Sequence, residues 1–129
     1  MVDFATLLAE NEASLNALAA HLDGQRKHHI DIGAYFMNRE VALAARLQMI
    51  EFLSKVTLSD KRPSVVISME DDEEGRYFCR IGLYAIPKAE DITNAELIVR
   101  QVADEFDGEQ PGWDIVLPVV GRIRDNAAK

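Results

Sequence analysis

The chain has 129 residues, close to the commonest size for one domain, and its 48% apolar and 28% charged residues give the balance of a folded protein rather than a disordered tail or a fibre. A net charge of −8 repels phosphate backbones at long range and sets direct nucleic-acid binding at a disadvantage, while the single cysteine, Cys79, excludes an intrachain disulfide and a thiolate metal cluster. No stretch reaches the roughly 18 apolar residues that span a bilayer, and Met1-Val2-Asp3-Phe4 lacks the basic start of a secretory leader, so a cytoplasmic protein is expected.

Taken in chain order, residues 3–22 place Phe4, Leu7, Leu8, Leu15, Leu18, Ala19 and Leu22 on one stripe at helical spacing, with Asn11 as a polar interruption and Gly24 as the stop. From His29 the period changes to two: Ile30, Ile32, Ala34 and Phe36 fall on one side, and Asp31, Gly33, Tyr35 and Met37 on the other, the pattern of a half-buried strand. Asn38 reads as an N-cap for a helix over 39–55, whose apolar face is expected to be Leu43, Leu47, Ile50 and Leu53, widened by Ala42, Ala45 and Met49. This helix is expected to be well covered.

Residues 65–69 and 77–86, rich in β-branched and aromatic side chains, read as two strands of an antiparallel hairpin joined by the acidic loop 70–75. Cys79 sits inside the second strand, the setting of a buried small hydrophobe. Thr93 and Glu96 have the spacing of a capping box, and Ile92, Ala95, Val99, Val102, Ala103 and Phe106 follow on one stripe until Gly108 ends the helix. Leu97 and Ile98 fall off that stripe, as do the acids Glu96, Asp104 and Glu105, a surface expected either to receive a partner or to pack under the N-terminal helix. Gly112-Trp113 leads into a short last strand at 114–117, halted by Pro118.

This order predicts a single α+β domain over residues 1–129. A ferredoxin-like βαββαβ core at about 29–118 has a four-stranded antiparallel sheet with two helices on one face; an extra N-terminal helix spans about 3–22, and a short tail follows at 119–129.

No catalytic constellation is legible: there is no nucleophile elbow, phosphate loop or dinucleotide fingerprint. His28 and His29 point to opposite sides of an extended chain, and with His21 they form no metal triad, so neither metal nor cofactor is expected. The run Glu70, Asp71, Asp72, Glu73, Glu74 lacks the alternating ligands of a calcium loop and reads as a solvated hairpin tip or a dock for a basic partner segment. Tyr77, Phe78 and Tyr84 could serve as base-stacking platforms, but they lack the basic-Gly-aromatic pattern of such sheets. Trp113 reads as an anchor at the sheet end or an interface residue. The candidate partner contacts are therefore Glu70 to Glu74, Glu96, Leu97, Asp104, Glu105 and Trp113.

Several pieces resemble, in order, the regulator of ribonuclease activity B (RraB) family. They are Glu10-Asn11-Glu12-Ala13-Ser14-Leu15 through Leu22-Asp23-Gly24, His28-His29-Ile30-Asp31 leading to Tyr35-Phe36, Ala44-Ala45, Ile86-Pro87 with Asp91-Ile92, and Phe106-Asp107-Gly108 followed by Gly112-Trp113. Pro111 stands where the family has an Asp before the Gly-Trp pair. The resemblance implies a ferredoxin-like, non-enzymatic protein that binds an RNase E-type endoribonuclease and inhibits or modulates it by protein contact. Two other classes fit the composition: a ligand-binding ferredoxin-like homodimer or enzyme, and an immunity-type module with an unrelated partner.

Overall fold

The computed structural model describes residues 3–22, 25–69 and 75–116. The acidic run 70–74, the stop expected at Gly24, and residues 117–129 with the expected tail lie outside them.

Asp3 caps α1 (Phe4–Leu18), its Oδ1 accepting the Thr6 N–H at 2.8 Å, and this hydrogen bond holds the Asp3 carboxyl below its ordinary pKa. A single 3-10 turn, Ala19–His21, follows. The alternating segment forms β1 (His28–Phe36), after which Asn38 Oδ1 accepts the Val41 N–H at 2.9 Å and starts α2 (Arg39–Leu53). The hairpin strands are β2 (Ser64–Met69) and β3 (Tyr77–Ala85); α3 (Ala89–Phe106) and β4 (Glu109–Val116) complete the described chain.

The fold is α+β, with one antiparallel sheet of order β2-β3-β1-β4. β1 is central: it pairs with β3 from His28 opposite Ala85 to Phe36 opposite Tyr77, and with β4 from His29 opposite Val116. At the usual rise per residue the His28 end and the Phe36 end of the sheet lie about 26 Å apart. α2 connects β1 to β2 and α3 connects β3 to β4. Both helices cover the sheet face that carries Ile30, Ile32, Ala34, Phe36, Cys79, Ile81 and Leu83, and α1 packs on α3. The opposite face, with His29, Asp31, Tyr35, Phe78, Arg80 and Tyr84, carries no described helix.

Three elements depart from expectation. On α2 the buried residues are Ala42, Ala45 and Met49, whereas Leu43, Leu47 and Ile50 are 38%, 65% and 41% exposed, so the helix is not well covered. Small side chains let α2 approach the sheet closely, and Arg46 ties it to the β2 edge by donating from Nε to the Val65 carbonyl at 2.9 Å. α3 starts four residues before Thr93, with Glu90 and Asp91 in its first turn where the helix dipole favours acids; Thr93 and Glu96 are interior and buried, and so is Ile98. β4 begins at Glu109 rather than 114, because an edge strand tolerates Pro111 and Gly112.

The end of α3 also differs in mechanism. The left-handed residue is Asp107, with φ of 56°, and the Gly108 N–H closes the turn on the Ala103 carbonyl at 2.7 Å. Gly108 is required by packing instead: a Cβ there would come within 2.7 Å of the Phe36 ring and 2.9 Å of the Ala103 Cβ.

Gly33 is the tightest point of the sheet, since a Cβ would press on the Cys79 carbonyl and come within 2.9 Å of the Arg80 Cα. Gly112, its ladder partner on β4, has open space at the same position. Gly33→Ala is therefore expected to cost about 2 kcal/mol or more in urea unfolding, and Gly112→Ala less than about 1 kcal/mol.

Cys79 is fully buried, with Sγ 3.7 Å from Met49 Sδ; burial pushes its thiol up to about 11, although the Arg46 charge pulls the other way. A folded pKa above the ordinary 9.0 means that the unfolded chain loses the proton first. The thiol's contribution is thus whole below pH 9 and declines as pH rises toward 11, by on the order of 2 kcal/mol. Unfolding free energies measured at about pH 8 and about pH 10.5 should show a smaller loss in Cys79→Ala than in the unsubstituted protein.

Candidate functional site

The largest polar cluster in the interior belongs to the scaffold. Asn11, on α1, donates from Nδ2 to Thr93 Oγ1 at 3.0 Å and to Glu96 Oε1 at 3.2 Å, and its Oδ1 accepts the Trp113 indole N–H at 2.8 Å. Glu96 Oε2 in turn accepts Arg100 Nε at 3.1 Å and pairs with its Nη2 at 3.0 Å. Asn11 and Glu96 are 4% and 3% exposed. Asn11 is thus no interruption of the helix stripe but its docking point. Glu96 is buried under α1 and committed there, so of the two expectations for its surface it takes the packing against the N-terminal helix and not the partner contact. Trp113 is half-buried against the core, and Leu97 is half-buried on α3.

Of the expected partner contacts, Asp104 and Glu105 are exposed, on the last turn of α3 at the Phe36 end. Asp107 and Glu109 follow, and with Tyr35, Met37 and Arg76 they line a shallow pocket of about 260 Å³. Met37 is exposed. Arg76 pairs with Glu109 and lies 4.8 Å from the centre of the Tyr35 ring, which packs 5.0 Å from Phe78. Residues 70–74 join Met69 to Gly75 and lie outside the described residues.

The His28 end has the opposite charge. Lys27 before β1, Lys61 and Arg62 in the α2–β2 connection, and Lys88 at the start of α3 line a pocket of about 380 Å³ with Tyr84. Asp60, also in the wall, accepts the Arg62 N–H and the Tyr84 N–H, each at 2.8 Å, which fixes the connection against β3. Tyr84 is half exposed on the open sheet face, 4.7 Å from the His29 ring and 5.7 Å from Lys27 Nζ. A second groove of about 350 Å³ continues from Tyr84 and Arg62 across that face to Arg80, which is paired with Asp31 at 2.8 Å. Phe78 and Tyr84 thus share the open face, whereas Tyr77 packs against the core.

His28 and His29 do point to opposite sides, one buried and one exposed. Among the described residues, no group of three His, Cys, Asp or Glu side chains is placed to hold a metal ion, and no helix is long and apolar enough to cross a membrane. The basic cluster escaped the sequence reading because its members are far apart along the chain. The available signal was topological: each cation flanks an element end that the expected strand order brings to one side.

Comparison with known families, with curated proteins and with solved structures finds no match.

Replacing Asn11 by Leu keeps the volume but leaves the Trp113 N–H, Thr93 and Glu96 without their shared partner. It should lower stability by about 2 to 4 kcal/mol. A double-mutant cycle of Asn11→Ala with Trp113→Phe is expected to give a coupling of about 1 kcal/mol, read by urea unfolding followed by circular dichroism.

Proposed function

We propose that the chain is a non-enzymatic, cytoplasmic regulator of RNA processing that binds an RNase E-type endoribonuclease through protein contacts, on a ferredoxin-like fold with α1 added. The sheet order, with α2 and α3 as crossovers within one sheet, supports that fold assignment. The partner assignment rests on the ordered resemblance to the RraB family, above all Glu10 to Leu15, His28 to Asp31 and Phe106-Asp107-Gly108 before Gly112-Trp113.

The observation that carries the binding mode is the pocket at the Phe36 end, where Met37 and Tyr35 stand beside Asp107 and Glu109. A lysine or arginine side chain from a basic, flexible partner segment would lay its stem on Met37 and reach the carboxylates with its head. Asp104 and Glu105 extend the acidic surface, and the sequence adds five acids at 70–74. An excess of negative charge on an exposed end raises the encounter rate with a basic segment and sets its orientation. The exposed row Leu43, Leu47 and Ile50 on α2 offers the apolar area that charge alone does not supply.

Calorimetric titration with a basic peptide from the non-catalytic region of such an endoribonuclease tests this reading. The charge reversals Asp104→Lys with Glu105→Lys should weaken binding about tenfold or more, and raising salt from about 0.05 M to about 0.3 M should weaken the unsubstituted protein similarly. Leu47→Ser should weaken it without changing the salt dependence. Affinity unchanged by all three would remove this surface, and no affinity for the intact endoribonuclease would remove the partner.

A further inference from the structure

From the His28 end we infer a second binding site, for a nucleotide: a phosphate group held by Lys27, Lys61, Arg62 and Lys88, with the base stacked on Tyr84. It is independent of the partner reading, which uses the other end of the sheet.

Four cations converge on one pocket of about 380 Å³, a volume within the range of small-ligand sites. Among the described residues none of the four has a carboxylate within ion-pair distance, whereas Arg76 is paired with Glu109, Arg80 with Asp31 and Arg100 with Glu96. The one carboxylate in the wall, Asp60, is engaged by two backbone N–H groups, so it shapes the loop that presents Lys61 and Arg62. Glu90 and Asp91 stand just beyond Lys88; Glu90 is exposed and Asp91 is buried, with Oδ1 accepting the Ser59 N–H at 3.3 Å. Like charges gathered in this way repel one another, and an anion with several oxygens relieves the repulsion.

The aromatic half of the site is Tyr84. Tyr84 is half exposed, with the His29 ring 4.7 Å from its own and Lys27 Nζ over the ring at 5.7 Å from its centre, so a base that stacks on this face takes the place of Lys27 and leaves that ammonium to the phosphate. A bare inorganic anion would leave that face unused, and so would an acidic peptide without aromatic residues. A nucleotide carries both groups, and the groove that continues to Arg80 gives room for a second unit. The overall charge of −8 does not oppose this locally: the acids of the Phe36 end are about 26 Å away, beyond three screening lengths at physiological salt.

Isothermal titration at about 0.15 M salt, with ATP, a short single-stranded oligoadenylate, inorganic triphosphate and hexaglutamate as probes, tests the assignment. ATP or the oligoadenylate should bind, and which of them binds more tightly identifies a free nucleotide or a single strand as the source. Lys61→Glu with Arg62→Glu should weaken either about tenfold or more, and Lys27→Glu, on another segment, should act in the same direction. Tyr84→Ala should weaken ATP about fivefold or more relative to triphosphate, and Asp104→Lys with Glu105→Lys should leave binding unchanged. Absence of binding by both nucleotide probes, or hexaglutamate binding as tightly as ATP, would overturn the site. So would ATP affinity that Tyr84→Ala and the charge reversals do not alter in variants with unchanged circular dichroism.

Discussion

One side-chain amide, that of Asn11, joins three elements that are distant in sequence: α1 through its own backbone, α3 through Thr93 and Glu96, and β4 through Trp113. α1 buries little else fully, Leu7 being its other buried residue, so its position depends on a polar contact that is specific in direction. Removing water from an amide and a carboxylate is costly unless every donor and acceptor finds a partner; here both Asn11 donors, its acceptor and both Glu96 oxygens are used. A wrong register of α1 on α3 would leave Glu96 buried without a donor on Oε1, and that penalty selects one docking geometry. The same contact holds Trp113 and with it the edge strand β4.

Because α1 lies on α3 and not on the far side of the sheet, one sheet face is left without a described helix, and described connections at both sheet ends carry exposed residues, Met37 and Asp107 at one and Lys61 and Arg62 at the other. The chain uses these ends differently. Acids that follow α3 gather at the Phe36 end, and bases that precede β1, β2 and α3 gather at the His28 end. This separation follows from topology: parallel β1 and β2 both begin at the His28 end, and α3 begins there as well. Residues just before these elements therefore become neighbours whatever their distance in sequence.

The strands were the most legible part. The alternation from Ile30 to Phe36 fixed which side of β1 is buried, and Asn38 marked the start of α2 because a side-chain oxygen before an apolar run has one common use. The inner face of α2 was not legible, since apolar residues occur around most of the helix; close approach to a sheet selected Ala42 and Ala45 over the larger Leu43 and Leu47. Thr93 and Glu96 misled for a reason that is general: the three-residue spacing of a capping box is also the spacing of two residues on one helical face. The cap is made within one turn, whereas the observed use of both side chains is to receive Asn11, 82 and 85 residues away. Pro111 and Gly112 likewise carry turn signals that an edge strand absorbs.

The two ends differ in how their charges are held, and this bears on what each can do. At the Phe36 end Arg76 already occupies Glu109 and covers Tyr35, so an incoming cation competes with an internal one and gains by displacing or joining it. Such a site favours a multivalent partner, in which several lysines or arginines act together, over a single ion. At the His28 end the cations have no internal competitor among the described residues, and Asp60 is satisfied by backbone N–H groups whether or not anything binds. An anion there replaces only water and mobile ions, so a small ligand suffices. The difference between an acidic end where Arg76 already sits on Glu109 and a basic end whose four cations have no carboxylate partner among the described residues is therefore a difference in the size of ligand that each end selects.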